Sequence, residues 1–398
     1  MYEDDSKSIG RRVREIRSWR SLTVTEAAEL AGMTTAYLSM IERGRRPVTK
    51  RSVLENLARA LRVSPAELTG KPYTPSDAPS AEARAGMPAV EDMLTGWQVG
   101  EVPSALGRPW GEVRADVKRL NLVLRPKAEY AEQASLLPVL IRDLLAASAV
   151  AEHRKDALIG LMSAYKAAAY LAHDLGVAGL PVLAAERMRR VAEELEDPVW
   201  VSYSAYQRAQ LLSGANRARQ YELAVQVADM TDSRAEVRGL AHLTAALASA
   251  ALGNGESAQD HLTEATQLAN ALDEDVSPWM QTNFGRTNVD IWKVSIGLEL
   301  GQGGRVAEIA EGVNPAGVSA SRQAAFWIDY GRSLLGERRT QGSGLEALLV
   351  AERLAPQKVR NNFFAREAVS NLLVKARRDA GSRELRGLAY RMRVAPIG

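Results

Sequence analysis

Apolar residues along this chain recur at three- and four-residue spacings and almost nowhere in strict alternation, a pattern that predicts helices and no sheet. Ile9, Val13 and Ile16 make one stripe of a first helix running to Trp19, with Arg11, Arg12, Arg14 and Arg17 around it. Ser21, Leu22 and Thr23 turn the chain into a short second helix over Glu26 to Ala31, which Gly32 ends. Thr34 is a good N-cap for a third helix reaching Arg43, and Gly44 supplies its stop. A fourth helix carries Val53, Leu54, Leu57, Ala58 and Leu61, and Ser64-Pro65 opens a fifth containing Leu68.

Residues 71–127 hold 7 of the 16 prolines and the Ala/Ser/Gly-rich stretch from Ser76 to Gly86, and read as a linker. Its later part, with Trp97, Trp110 and the stripe Val113, Val117, Leu120, Leu124, is expected to pack on the domain C-terminal to it. From residue 128 onward the chain reads as successive amphipathic helices. Small residues sit seven apart in the second helix of several pairs: Ala185 and Ala192, Ala258 and Ala265, Gly344 and Ala351. Ala224 and Ala258 are 34 residues apart, the tetratricopeptide period. Small residues at such positions let antiparallel helices approach and the next pair stack on them. The expected fold is all-α: a five-helix domain at residues 6–70, the linker at 71–127, and an α-solenoid of about six or seven helix pairs at 128–398.

Charge is unevenly placed. Residues 6–71 hold 14 Lys/Arg against 6 Asp/Glu, a local +8 in a chain of net charge +3, so the remainder sums to −5. That asymmetry points to a polyanion-binding head on a mildly acidic body. Composition removes other classes. There is no cysteine, hence no disulfide, thiolate metal site or cysteine nucleophile. The four histidines, His153, His173, His242 and His261, have no metal-ligand spacing. No Gly-x-Ser-x-Gly elbow appears, and the glycine-rich stretches at 253–256 and 301–304 lack the strand and Lys-Ser/Thr of a phosphate loop, so they read as turns. No catalytic residue, cofactor or metal is assigned, and the chain is read as a non-enzyme. Without a basic-then-apolar leader or an apolar run long enough to span a bilayer, it is expected in the cytoplasm with no membrane partner.

The order of helices over residues 9–68 suits a helix-turn-helix. Ala28 provides a small residue where the third helix crosses the second, Gly32 a permissive turn, and Leu38 and Ile41 hold the third helix down. Thr35, Ala36, Ser39 and Met40, with part of Tyr37, are left for a groove. Arg43, Arg45, Arg46, Lys50 and Arg51 place five cations in nine residues beside it, suited to phosphates or, alternatively, to a solvated loop. Tyr37 could stack on sugar or base edges or be half-buried in the core; Trp19 is expected to pack.

Gly10 with Arg17, Leu22-Thr23, Ala28, Ala31-Gly32, Leu38-Ser39, the run Ile41 to Gly44, and Leu57 to Leu61 resemble the Cro/C1-type, or xenobiotic-response-element, helix-turn-helix of phage repressors and bacterial regulators. The resemblance implies major-groove binding to double-stranded DNA as a homodimer, with contacts from Thr23, Thr34 and the third-helix residues above, and with Arg17 paired to Glu42 and aimed at the backbone. Val24 stands where the family often has a phosphate-clamping glutamine. Thr35, Ala36, Ser39 and Met40 cannot form bidentate bonds to purines, so direct readout is expected to be weak and dimer spacing, DNA shape and the basic loop to matter more.

The stretch Tyr130 to Ile141, with Pro138, resembles the segment opening the helical-repeat region of large actinobacterial regulators that carry such a head on a tetratricopeptide-like body. By that analogy the concave face should hold a peptide, small molecule or protein partner. Candidates are Tyr203, Tyr206, Gln207, Arg208, Asn288, Trp292, Trp327, Tyr330, Asn361 and Asn362. Core packing of the aromatics and capping by the asparagines are the alternatives. The expected function is transcriptional regulation, with a ligand changing superhelix curvature and thus head spacing; the alternative is a protein-interaction scaffold with a degenerate head.

Overall fold

The computed structural model describes residues 9–75, 77–103, 107–212, 216–376 and 383–394. All regular structure among them is helical. The head comprises α1 (Ile9–Trp19), α2 (Val24–Leu30), α3 (Thr35–Glu42), α4 (Arg51–Ala60) and α5 (Pro65–Thr69). Local chemistry explains their ends. Thr23 and Glu26 form a capping box at α2, as do Ser64 and Glu67 at α5, while the Thr34 hydroxyl accepts the Tyr37 N–H at the start of α3. Gly32 and Gly44 take the left-handed conformation that ends α2 and α3.

Val13, Ala28, Leu38, Ile41, Leu57, Leu61 and Leu68 form the head's core. α1 crosses α3 at Gly10, where a Cβ would stand 2.0 Å from the Ile41 carbonyl oxygen, so only glycine permits that approach. Trp19 departs from expectation: in the last turn of α1, beyond the Ile9–Val13 stripe, it is 80% exposed and does not pack.

The proline-rich stretch is largely folded and not a loose connector. Asp77 caps α6 (Ala78–Ala85), Pro79 sits harmlessly in its first turn, and α7 (Met87–Gly96) comes next. Ala83, Met87, Val90 and Leu94 are spaced to face one way, and they bury into the same core as the body. α8 (Trp110–Arg119) continues through a π-turn at Leu120–Leu124 into α9 (Arg125–Lys127).

The body begins with α10 (Tyr130–Ser148). Helix pairs then stack in order: α11 (Arg154–Leu175) with α12 (Leu180–Leu195), α13 (Pro198–Leu211) with α14 (Arg217–Ala228), α15 (Ala235–Ala251) with α16 (Gly255–Asn270), α17 (Arg286–Leu300) with α18 (Gly304–Glu311), and α19 (Ala320–Leu334) with α20 (Gln341–Leu354). α21 (Pro356–Arg360), α22 (Phe363–Ala376) and α23 (Arg383–Met392) finish the stack. Ala185, Ala192, Ala258, Ala265, Gly344 and Ala351 lie buried on second helices of these pairs. The glycines at 253 and at 301 and 303 take left-handed turns between helices.

The superhelix closes on itself. Gln357 accepts the Ala131 N–H at 3.2 Å and donates to Glu129 at 3.3 Å, and Lys358 pairs with Asp174 at 2.9 Å. α21 thereby clasps the start of α10 and the end of α11, beside a central cavity of about 330 Å³.

The head is latched to this ring. Glu299, in the last turn of α17, accepts the N–H groups of Arg51 and Ser52 at 2.9 Å each, and so caps α4 where Lys50 makes no side-chain cap. Arg217 holds Glu55 at 2.7 Å. Arg332, paired to Asp329, donates to the Thr49 carbonyl and lies 4.1 Å above the Phe364 ring, while Phe363 packs on the head's core.

Candidate nucleic-acid interface and interior cavity

α3 presents Thr34, Thr35 and Ala36 to solvent, with Ser39 and Met40 half-buried behind them. The orientation of this surface is fixed from beneath. Arg17 on α1 reaches Glu42 on α3 with two bonds of 2.6 and 3.1 Å and the Leu22 carbonyl at 2.7 Å, tying three elements together. The hydrogen bond it donates to Glu42 holds the Arg17 guanidinium above its ordinary pKa. Thr23 and Thr34 have their hydroxyls engaged in capping. Arg43 folds back onto its own helix, donating to the Ser39 hydroxyl at 2.7 Å and the Ser39 carbonyl at 3.0 Å, so the two side chains present a single polar unit. Tyr37 is half-buried against the head's core, and the Arg46 guanidinium lies 5.6 Å from its ring centre.

The five cations of the loop do not act as one patch. Arg43, Arg45 and Arg46 are exposed beside α3. Lys50 and Arg51 instead turn to the body: the Lys50 ammonium lies against Gly301 at the C-terminus of α17, and Arg51 lies over the Phe364 ring at 5.3 Å. A cation at a helix C-terminus and a carboxylate at a helix N-terminus both complement the local dipole, so the Lys50–Gly301 and Glu299–α4 contacts support each other. Lys50 and Arg51 are held against the body by partners that lie far along the chain, Glu299, Gly301 and Phe364.

Of the residues expected on the concave face, Tyr206, Gln207, Asn288 and Trp292 line the central cavity. The others do not. Tyr203 is fully buried behind it, edge-on to Trp200 and Trp279. Arg208 is exposed and lines a separate hollow with Arg189 and Glu193. Tyr330 stacks on Phe326 and Trp327 meets it edge-on, both half-buried against the core between α17, α18 and α19. Asn361 donates to the Gln357 carbonyl, and Asn362 accepts the Ala365 N–H, so both serve helix ends.

Sequence reading missed the cavity's charged residues, Arg125, Lys166, Asp174, Arg322 and Lys358. Lys166 was detectable as a lone cation inside the otherwise apolar run of α11. Burial pushes Lys166 well below its ordinary value, and Arg125 repels it further; burial likewise lowers Arg125, and brings Arg322 down to about 10. Burial works against ionising Asp174, but Lys358, His173 and Tyr130 together hold it well below the usual carboxylate range. One wall of the cavity is the loop before α17, where Met280, Gln281 and Asn283 all have positive φ. Lys166 donates to the Met280 carbonyl at 2.9 Å, Arg125 to Gln281 at 3.2 Å, and Asn283 accepts the Ser319 N–H at 3.1 Å, holding that costly backbone in place. Among the described residues, no group of three or more His, Asp or Glu side chains is placed to hold a metal, and no helix is long and apolar enough to cross a membrane.

Comparison with known proteins matches residues 8–69 to the helix-turn-helix domain family. Over 57 residues the chain is 39% identical to the HTH-type transcriptional repressor RghR of Bacillus subtilis (strain 168), a match covering 14% of this chain and 42% of that protein. The chain thus spans less than half the length of that relative. Two solved structures align over longer stretches. PlcR of Bacillus thuringiensis, in complex with the peptide PapR7 and DNA, aligns over 66% of this chain and 94% of its own at 13% identity and a TM-score of 0.25. The apo form of the competence regulator ComR from Streptococcus vestibularis aligns over 74% and 99% at 14% identity and a TM-score of 0.24. The five head helices are a helix-turn-helix domain of the Cro/C1 type, joined to a body of stacked helix pairs.

Proposed function

We propose that this chain is a sequence-specific DNA-binding transcriptional regulator that acts as a homodimer. The unit over residues 6–70 binds the major groove, and the body over residues 128–398 dimerises and senses a ligand or partner. The observation that carries this reading is the α3 surface: Thr34, Thr35 and Ala36 stand exposed with Arg43, Arg45 and Arg46 alongside, on a helix oriented by the Arg17–Glu42 pair. A helix so buttressed, with cations on its flank, has the shape and charge of a groove reader. Its side chains favour thymine methyls and single hydrogen bonds, so specificity rests on spacing and shape as much as on base edges.

The likeness to a transcriptional repressor over the head supports the same reading. A second reading, a scaffold whose head no longer binds DNA usefully, is favoured by the absence of bidentate donors at Thr35 and Ala36 and by Val24 in place of a phosphate clamp. Selection of bound fragments from genomic DNA by the full chain, followed by a salt titration on the recovered site, separates the two. The regulator reading expects an enriched site and a steep negative slope of log affinity against log salt; no enrichment and a flat slope favour the scaffold.

A further inference from the structure

Four cations line the central cavity, Arg125, Lys166, Arg322 and Lys358, against one acid, Asp174. Lys358 and Asp174 satisfy each other. The other three have no carboxylate within ion-pair distance among the described residues. Lys166 is buried and donates to one neutral carbonyl, that of Met280. Arg125 reaches only the amide oxygens of Asn121 and Gln281, at 3.1 and 3.2 Å. Arg322 bonds Asn288 at 2.7 Å through Nε and stacks 5.2 Å above Trp292, while its buried Nη2 has no hydrogen-bond partner in the protein. The acid that bears on Arg322, Asp329, is committed to Arg332 at 2.6 Å and Ser295 at 2.5 Å.

This placement runs against the rest of the molecule. The chain outside residues 6–71 sums to −5, yet its central cavity is lined by four basic side chains against one acidic one. Burying a cation without a counter-charge is strongly unfavourable. Cations kept in such a place are matched to a negative charge that the fold itself does not contribute. A volume of about 330 Å³ is the size of a small-molecule site.

We propose that the central cavity is a binding site for a small anionic ligand, its carboxylate or phosphate group held by Arg125, Lys166 and Arg322, with Asn288 and Trp292 fixing Arg322 from behind. This deepens the proposed sensing role of the body and names the ligand's class. The three basic side chains come from α9, α11 and α19 and line one cavity, so an anion bound among them would bridge separate elements of the body.

The test uses the full chain without DNA, by thermal unfolding and Trp fluorescence at constant ionic strength. One arm of probes is inorganic phosphate, pyrophosphate and adenosine monophosphate; the other is succinate, citrate and 2-oxoglutarate; sodium chloride is the control and an acid-free, amidated heptapeptide the competitor. At least one arm is expected to raise the melting temperature saturably, and the responding arm tells phosphate from carboxylate. Arg322→Gln and Lys166→Met are each expected to weaken that response at least about tenfold, while Arg208→Gln leaves it unchanged. Without a probe, the same two variants should melt at or above the temperature of the parent chain, since each removes a buried basic group that the protein leaves without a counter-charge; a merely structural role would lower it. No response to any anion beyond chloride, an undiminished response in the Arg322→Gln, Lys166→Met double variant, or tighter binding of the amidated peptide than of every anion would overturn the proposal. DNA binding is measured separately, so its failure would remove the regulator reading and leave the anion site standing.

Discussion

Glu299 accepts hydrogen bonds from both the main-chain N–H and the hydroxyl of Ser52, at 2.9 and 2.6 Å, across 247 residues of sequence. Its carboxylate also faces the positive end of α4, so it serves as a helix cap supplied by another domain. Glu299→Ala is expected to cost about 2 kcal/mol of latch stability. Hydrogen exchange by mass spectrometry should show faster exchange at residues 51–53. Unchanged exchange there would place the latch on Arg217 and Phe364 alone.

The Arg17–Glu42 pair is mostly buried, with side-chain exposures of 12% and 6%. Removing one partner strands the other, so Glu42→Gln is expected to destabilise the head by about 3 kcal/mol. Exchange protection in α1 and α3 should fall together and that of α11 should not.

Arg45 and Arg46 are exposed beside α3, whereas Lys50 is held against Gly301. If DNA lies along α3, replacing Arg45 and Arg46 by alanine should flatten the salt slope by about 0.9 for each phosphate left without its cation. Lys50→Ala should leave the slope unchanged while loosening the head. Slopes in the Arg45 and Arg46 variants equal to that of the parent chain would remove both residues from the interface.

Glu367 on α22 accepts a hydrogen bond from the Val48 main chain, and burial at the head–body junction pushes its carboxyl up to about 7. An acid whose pKa is raised in the folded chain holds a proton that the unfolded chain releases. Stability from this group is therefore full below its ordinary value of 4.5, declines as pH rises, and is spent near 7. Glu367→Gln should flatten the fall in melting temperature over that window. A parallel profile in parent and variant would show that Glu367 stays ionised.

What the sequence made legible was local. The Thr34 cap, the Gly32 and Gly44 stops and the Ile9–Val13 stripe depend on neighbours within a few residues, and α1 to α3 are set by them. Ala185, Ala192, Ala258 and Ala265 betray the seams between stacked pairs because close approach demands small residues at a fixed period. The body contacts of Lys50 and Arg51 were hidden for the opposite reason: five clustered cations look alike until Glu299, Gly301 and Phe364 arrive from distant helices. Tyr203, Trp327 and Tyr330 were aromatic in mainly apolar helices, and nothing local distinguishes facing a cavity from facing the next repeat. The cavity's cations escaped because each stands alone in its own helix and only the closing of the ring brings them together.

That closure bears on how such a body can move. A stack with free ends yields like a spring, a little for every small load. A stack whose last turn grips its first, as Gln357 and Lys358 grip Glu129, Ala131 and Asp174, keeps its shape until the buckle gives way. Its response is a threshold, so any signal passing through this body is expected to arrive as open or shut, with few positions between.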